Sequence, residues 1–145
     1  MAQGHDYRTR DTVCKRPLSA TEAADLLSRY AVPNEFLNGD PVSNGEHLVT
    51  NGWGLPGGFV QTTFTANGFA ATNVTTPVHV FVGTIVRSIG IVNGSTIINT
   101  HGYGNAGSST IGRFRDENNQ EFGPGIFSAL DSKAADYAAS HIPGC

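Results

Sequence analysis

Residues Val78–Gly104 read VHVFVGTIVRSIGIVNGSTIINTHGYG. Two runs rich in Val, Ile, Thr and Phe flank the dipeptide Asn93-Gly94. β-branched and aromatic side chains favour a pleated backbone, and Asn-Gly accepts the positive φ angles of tight hairpin turns. The stretch predicts a central hairpin with strands at about 78–92 and 95–103. Because side chains alternate along a strand, His79, Phe81, Ile85, Arg87 and Ile89 share one face. Two registers are open. A two-residue loop at Asn93-Gly94 sets Val86 opposite His101 and puts His101 and Arg87 on different faces. A three-residue loop, Val92-Asn93-Gly94, sets Ile85 opposite His101 and brings His79, Arg87 and His101 to one side.

Working outward, Ser19 and Glu22 form a capping box for a helix from Pro17 to Tyr30, with Ala23, Ala24, Leu26, Leu27 and Tyr30 as its apolar stripe. Residues 33–58 are dense in Gly, Asn and Pro and predict a long run of turns with a short strand at Glu46–Thr50. FVQTTFT (59–65) and residues 69–74 read as further strands. After the hairpin, GYGNAGSST predicts a loop and RFRDENNQEF a charged segment. Gly123-Pro124-Gly125 then introduces a last helix, about Ile126 to His141, with Phe127, Leu130, Ala134, Tyr137 and Ala138 at helical spacing. Residues 1–16 are polar and read as a leader or linker. The expectation is one α+β domain over 17–145: an antiparallel sheet packed against an N-terminal and a C-terminal helix.

The chain has 145 residues, enough to bury a core without staples. Its net charge of −3 and a charged fraction of 14% argue against an extended nucleic-acid platform, which needs clustered Lys and Arg. A grip on a few nucleotides stays open. No apolar run is long enough to span a membrane, and MAQGHDYRTRDTVCKR lacks the apolar core of a secretory signal. Cys14 and Cys145 stand near the two ends. Either they are unrelated thiols, the commoner case, or they close nearly the whole chain in one bridge. Asn73-Val-Thr and Asn93-Gly-Ser match the glycosylation pattern, which matters only in a eukaryotic secretory setting.

Phosphate-binding loops, dinucleotide fingerprints, zinc-protease helices, paired CxxC motifs and nucleophile elbows are absent from the sequence. The histidines are the better lead. Metal-free phosphodiester cleavage needs an imidazole base, a protonated acid and a cation for the developing phosphorane charge. His79 and His101 would be the acid–base pair and Arg87 the cation, with no cofactor and no metal. The competing reading leaves the two histidines on different faces, making only local hydrogen bonds. Tyr103, beside Gly102 and Gly104, is a candidate for stacking or orienting substrate, because the glycines let a ligand approach the backbone. Arg113 and Arg115 are candidates for phosphate, with Asp116 and Glu117 beside them, although a charge run is more often solvated surface. Trp53, in NGWGLPGG, is either a platform for a base or sugar ring or a plug at the core edge.

The pentapeptide His79-Val80-Phe81-Val82-Gly83 resembles the HVFVG that carries a catalytic histidine in the EndoU family of RNA endonucleases. The resemblance implies a catalytic role for His79. The family's second histidine and its lysine have only His47 and Lys133 as counterparts here, both at different spacing. The overall layout resembles the C-terminal toxin domains of bacterial polymorphic toxins and secretion-system effectors, including those on Rhs-type carriers. That resemblance implies delivery into a target cell, a cognate immunity protein, and an enzymatic activity against RNA, a nucleotide cofactor or the cell envelope; the first expectation is RNA cleavage in the target's cytoplasm. An alternative is hydrolysis of peptidoglycan or a lipid-linked envelope precursor in the periplasm. A third reading is a non-enzymatic module that binds a glycan or a protein.

Overall fold

A computed structural model describes residues 4–34, 39–50, 56–76 and 82–145. Six strands form one antiparallel sheet: β1 (His5–Cys14), β2 (Gly45–Thr50), β3 (Pro56–Phe64), β4 (Ala70–Thr75), β5 (Thr84–Val92) and β6 (Ser95–Gly104). Their order across the sheet is β1-β6-β5-β4-β3-β2. Helix α1 (Ala20–Arg29) follows β1, and helix α2 (Thr110–His141) closes the chain. The chain is therefore α+β, with a short N-terminal helix and a long C-terminal one.

Helix α1 starts where its sequence says it should. The Ser19 hydroxyl accepts from the Glu22 amide, and the Glu22 carboxylate accepts from the Ser19 amide. Arg16, together with these Ser19 contacts, holds the Glu22 carboxyl down at about 2. Leu26 and Leu27 are fully buried, each stabilising the fold by roughly 2 kcal/mol. Strands β5 and β6 turn at Asn93 and Gly94, both at positive φ (50° and 80°), as a two-residue turn of this hand requires. Val92 pairs with Ser95 and Val86 with His101, so the two-residue register is the one adopted.

Three expectations change. Within the stretch read as a polar leader, His5–Cys14 forms β1, an edge strand paired along β6 from His5–Gly104 to Cys14–Thr96. Its alternation is real, but the inward side chains are His5, Tyr7, Thr9, Asp11 and Val13, and a hydropathy pattern does not register the first four. The last helix begins at Thr110, not near 126, and runs through Gly123-Pro124-Gly125; RFRDENNQEF is its first half. Its buried stripe there is Gly112, Asp116, Asn119 and Gly123, at helical spacing but without an apolar residue. Finally, Cys14 and Cys145 are joined, with Cα atoms 4.7 Å apart across 131 residues of sequence. Arg16 reinforces that closure through Nε, which donates to the Pro143 carbonyl at 2.7 Å.

The core lies between the inner face of the sheet and the two helices. One cluster gathers Tyr7, Val13, Leu26, Tyr30, Ile98, Phe127 and Leu130, among others. A second gathers Leu27, Ala31, Val32, Val49, Val60 and Ala71 under α1.

Candidate functional site: a cavity beneath the C-terminal helix

The inner face carries several polar side chains, and they fall into two groups separated by Phe127. On one side lies Arg87, fully buried. Its Nη1 donates to Thr100 Oγ1 and its Nη2 to the Tyr30 carbonyl, each at 2.7 Å. Nη1 also approaches Asp131 Oδ1 on α2 to 2.7 Å, a close but poorly directed contact that acts as an ion pair. The guanidinium sits 5.4 Å over the Phe127 ring. Burial works against both charges. It lowers the Arg87 pKa, and it pushes the Asp131 carboxyl up to about 7 against the pull of Arg87, with the neighbouring Asp11 carboxylate adding to the rise.

On the other side lies Tyr7, its ring stacked 6.4 Å from Phe127. Tyr7 faces Gly102 across the strand pair. A Cβ added to Gly102 or to Gly123 would overlap the Tyr7 ring, so these two glycines form a slot that only a missing side chain leaves open. Beyond the slot is a cavity of about 50 Å³ whose lining includes Tyr7, Val60, Asn73, Ile85, Asn119 and Phe127. The Tyr7 hydroxyl is buried and has no hydrogen-bond partner among the described residues. Burial pushes its pKa up to about 12, so it stays a protonated donor at neutral pH. Asn73 is committed elsewhere: its Nδ2 donates to the Ala31 carbonyl at 3.1 Å, and its Oδ1 accepts from Thr62.

Next to the cavity, His5 is locked between two α2 residues. Its Nδ1 hydrogen-bonds Asp116 Oδ1 at 2.8 Å, and its Nε2 accepts from Asn119 Nδ2 at 3.0 Å. Asp116 also accepts from the Ala106 amide at 3.0 Å. With both ring nitrogens engaged, the triad fixes the first strand to the first half of α2 and orients Asn119 at the cavity wall. Pro33, Thr50 and Ile126 belong to the cavity and also to an open groove of about 460 Å³ between the end of α1 and the second half of α2. Groove and cavity thus adjoin across these three side chains, and the groove alone falls within the roughly 300–1,000 Å³ usual for small-molecule sites.

The residues singled out from the sequence are scattered. Arg87 and His101 lie on opposite faces of the sheet, as the adopted register requires, so they cannot share a phosphate. Arg87 is bound up in the core and unavailable to substrate. His79 and Trp53 lie outside the described residues. His101 is on the outer face, where its Nε2 meets Asp6 Oδ1 at 3.1 Å and its ring centroid lies 4.7 Å from that of Tyr103, the planes tilted by 37°. Arg8 stands directly opposite His101 across the strand pair. Arg8, His101 and Tyr103 border an open cleft of about 500 Å³ with Val86, Ser88 and Asn99. Gly102 does not open the backbone to a ligand; its vacant side is filled by Tyr7. Arg113 and Arg115 are exposed on the first half of α2, while Asp116 beside them is buried against His5.

Tyr7, Asn119 and the glycine slot were not evident from sequence. The signal was there in two parts: alternation in His5–Val13, and the helical spacing of Gly112, Asp116, Asn119 and Gly123. Only their pairing in space gives either part meaning.

No protein-family model matches the chain, and no curated protein is significantly similar to it. Solved structures are similar in fold. Protein NE0264 from Nitrosomonas europaea aligns over 94% of this chain and 95% of its own, with 12% identity and a TM-score of 0.58. Protein MLL2253 from Mesorhizobium loti aligns over 89% and 96%, with 10% identity and a TM-score of 0.53. At such low identity the likeness extends to the fold alone.

Proposed function

We propose that this chain is a binding domain that holds a small, largely apolar molecule between the sheet and α2. The single observation that carries this reading is the Tyr7 hydroxyl: buried, protonated, without a partner, and at the wall of a cavity. An unsatisfied buried hydroxyl costs roughly 1–3 kcal/mol. A ligand oxygen that accepts from it recovers that cost, while Val60, Ile85 and Phe127 bury the ligand's apolar body. The test is titration with 1,8-octanediol followed by backbone amide shifts in NMR. Shifts centred on Tyr7, Asn119, Gly123 and Phe127 support the reading; saturable shifts confined to the outer face, or none, overturn it.

A second reading keeps the chain as a toxin domain, delivered into a target cell and countered by an immunity protein. What favours it is the outer-face cleft. There, His101, oriented by Asp6, would be the acid–base group, Arg8 rather than Arg87 the phosphate cation, and Tyr103 the stacking surface for a base. The Cys14–Cys145 bridge suits passage through, or action in, an oxidising compartment. Expression in a bacterium with and without an export signal tests it. Arrest with degraded RNA, abolished by His101→Ala, supports RNA cleavage. Lysis only on export moves the reading to the cell envelope, and no effect from either form leaves the binding domain.

A further inference from the structure

Resting on the cavity reading, we infer that the ligand carries an anionic head group, held outside the cavity by Lys133. The groove that adjoins the cavity at Pro33, Thr50 and Ile126 is lined on its α2 side by Ile126, Leu130, Lys133 and Tyr137, residues three or four apart on one helix face. Ile126, at the junction with the cavity, and Lys133 are separated by about 10 Å along the helix at 1.5 Å per residue. The floor thus runs from apolar to cationic in the direction a bound chain would take.

Charge decides what the outer end accepts. Among the described residues the groove lining contains two cations, Arg29 and Lys133, and one carboxylate, Asp136, in a protein whose net charge is −3. Arg29 is already engaged: its Nε donates to Asp25 Oδ2 at 2.9 Å, its Nη1 donates to the Gly39 carbonyl at 3.1 Å, and its guanidinium lies 4.9 Å over the Tyr137 ring. Lys133 makes no ion pair among the described residues, although Asp136 follows it by one helical turn. An ammonium on a flexible stem at the rim of an apolar groove is suited to a compact carboxylate or phosphate head whose apolar body is buried alongside. The ligand class is a two-ended amphiphile, with a hydrogen-bonding oxygen inside at Tyr7 and a negative head outside at Lys133.

Calorimetric titration of the full chain with 8-hydroxyoctanoate and with its neutral counterpart 1,8-octanediol tests this. We expect the carboxylate to bind about tenfold more tightly than the diol, an advantage that shrinks as salt is raised. Lys133→Glu should abolish that advantage and leave diol affinity unchanged; Lys133→Arg should retain it. Equal affinities in the unmodified protein, or an advantage that survives Lys133→Glu, overturn the head-group assignment while leaving the cavity reading intact. Failure of both molecules to bind overturns the cavity reading and this inference with it.

Discussion

Phe127 separates two polar regions that differ in what surrounds them. On its Arg87 side, a buried charge is answered from three directions, by Asp131, Thr100 and the Tyr30 carbonyl. On its Tyr7 side, a buried hydroxyl has no hydrogen-bond partner among the described residues and lines a cavity. The first arrangement is what a fold needs to bury a charge. The second is an incomplete set of contacts, and incompleteness is what a ligand can correct. Arg87 Nε and the Asp131 oxygens also lack a directed hydrogen bond, but they face each other's charge in packed surroundings; what marks the Tyr7 side is a missing partner beside a cavity.

The largest effect that would sharpen this contrast lies on the Arg87 side. Arg87→Leu leaves the Asp131 carboxylate, Thr100 and the Tyr30 carbonyl without their buried partner and should cost about 3–5 kcal/mol of stability, read by denaturant unfolding, with ligand binding little changed. The pH dependence has a definite sign. The folded Asp131 carboxyl is raised from 3.8 to about 7, so its contribution to stability is fully present below pH 3.8 and is lost as pH rises towards and through 7. Stability of the unmodified protein should fall between about pH 4 and about pH 7, and Asp131→Asn should flatten that slope. An unchanged slope would remove Asp131 as its source.

Next comes the closure at the far end of α2. Cys145→Ser opens the bridge and should cost about 2–4 kcal/mol, mainly by freeing the unfolded chain. Because Cys14 and Cys145 are remote from the cavity, affinity for 1,8-octanediol should be preserved wherever the protein remains folded. A parallel loss of binding would tie the two ends of α2 together.

A smaller effect probes the slot itself. Gly102→Ala places a methyl against the Tyr7 ring and should cost about 1–3 kcal/mol. In a Tyr7→Ala background the same substitution should cost almost nothing, because the ring it meets is gone. Additive costs in this double-mutant cycle would mean that Gly102 is needed for some other reason.

The same contrast governs how far the sequence could be read. Helix α1 was legible because Ser19, Glu22, Leu26 and Leu27 use local capping and an apolar stripe. Strands β2 to β4 were legible in outline from β-branched content between turn residues. The first strand and the first half of α2 were not, and these two segments pack on each other. Their inward residues are His5, Tyr7 and Asp11 on one and Gly112, Asp116, Asn119 and Gly123 on the other. Each looks solvent-seeking or structureless until its partner is known: His5 is buried because Asp116 and Asn119 bind it, and Gly123 is small because Tyr7 fills its place. Periodicity measured in hydropathy misses a seam built from mutual recognition. The catalytic grouping failed for a different reason: an Asn-Gly turn serves either register, and one residue of slip moves His101 across the sheet.

The most direct test is Tyr7→Phe, which removes one oxygen and nothing else. With no ligand present, we expect the variant to be more stable by about 1 kcal/mol, a rise in Tm of roughly 3 °C for a chain of this size. We also expect its affinity for 1,8-octanediol to fall about tenfold. A gain in stability together with a loss of binding is the signature of a group kept for a ligand at the expense of the fold. A variant that is less stable yet binds as before would show that the Tyr7 hydroxyl serves the structure, and would contradict the assignment of the cavity as a binding site.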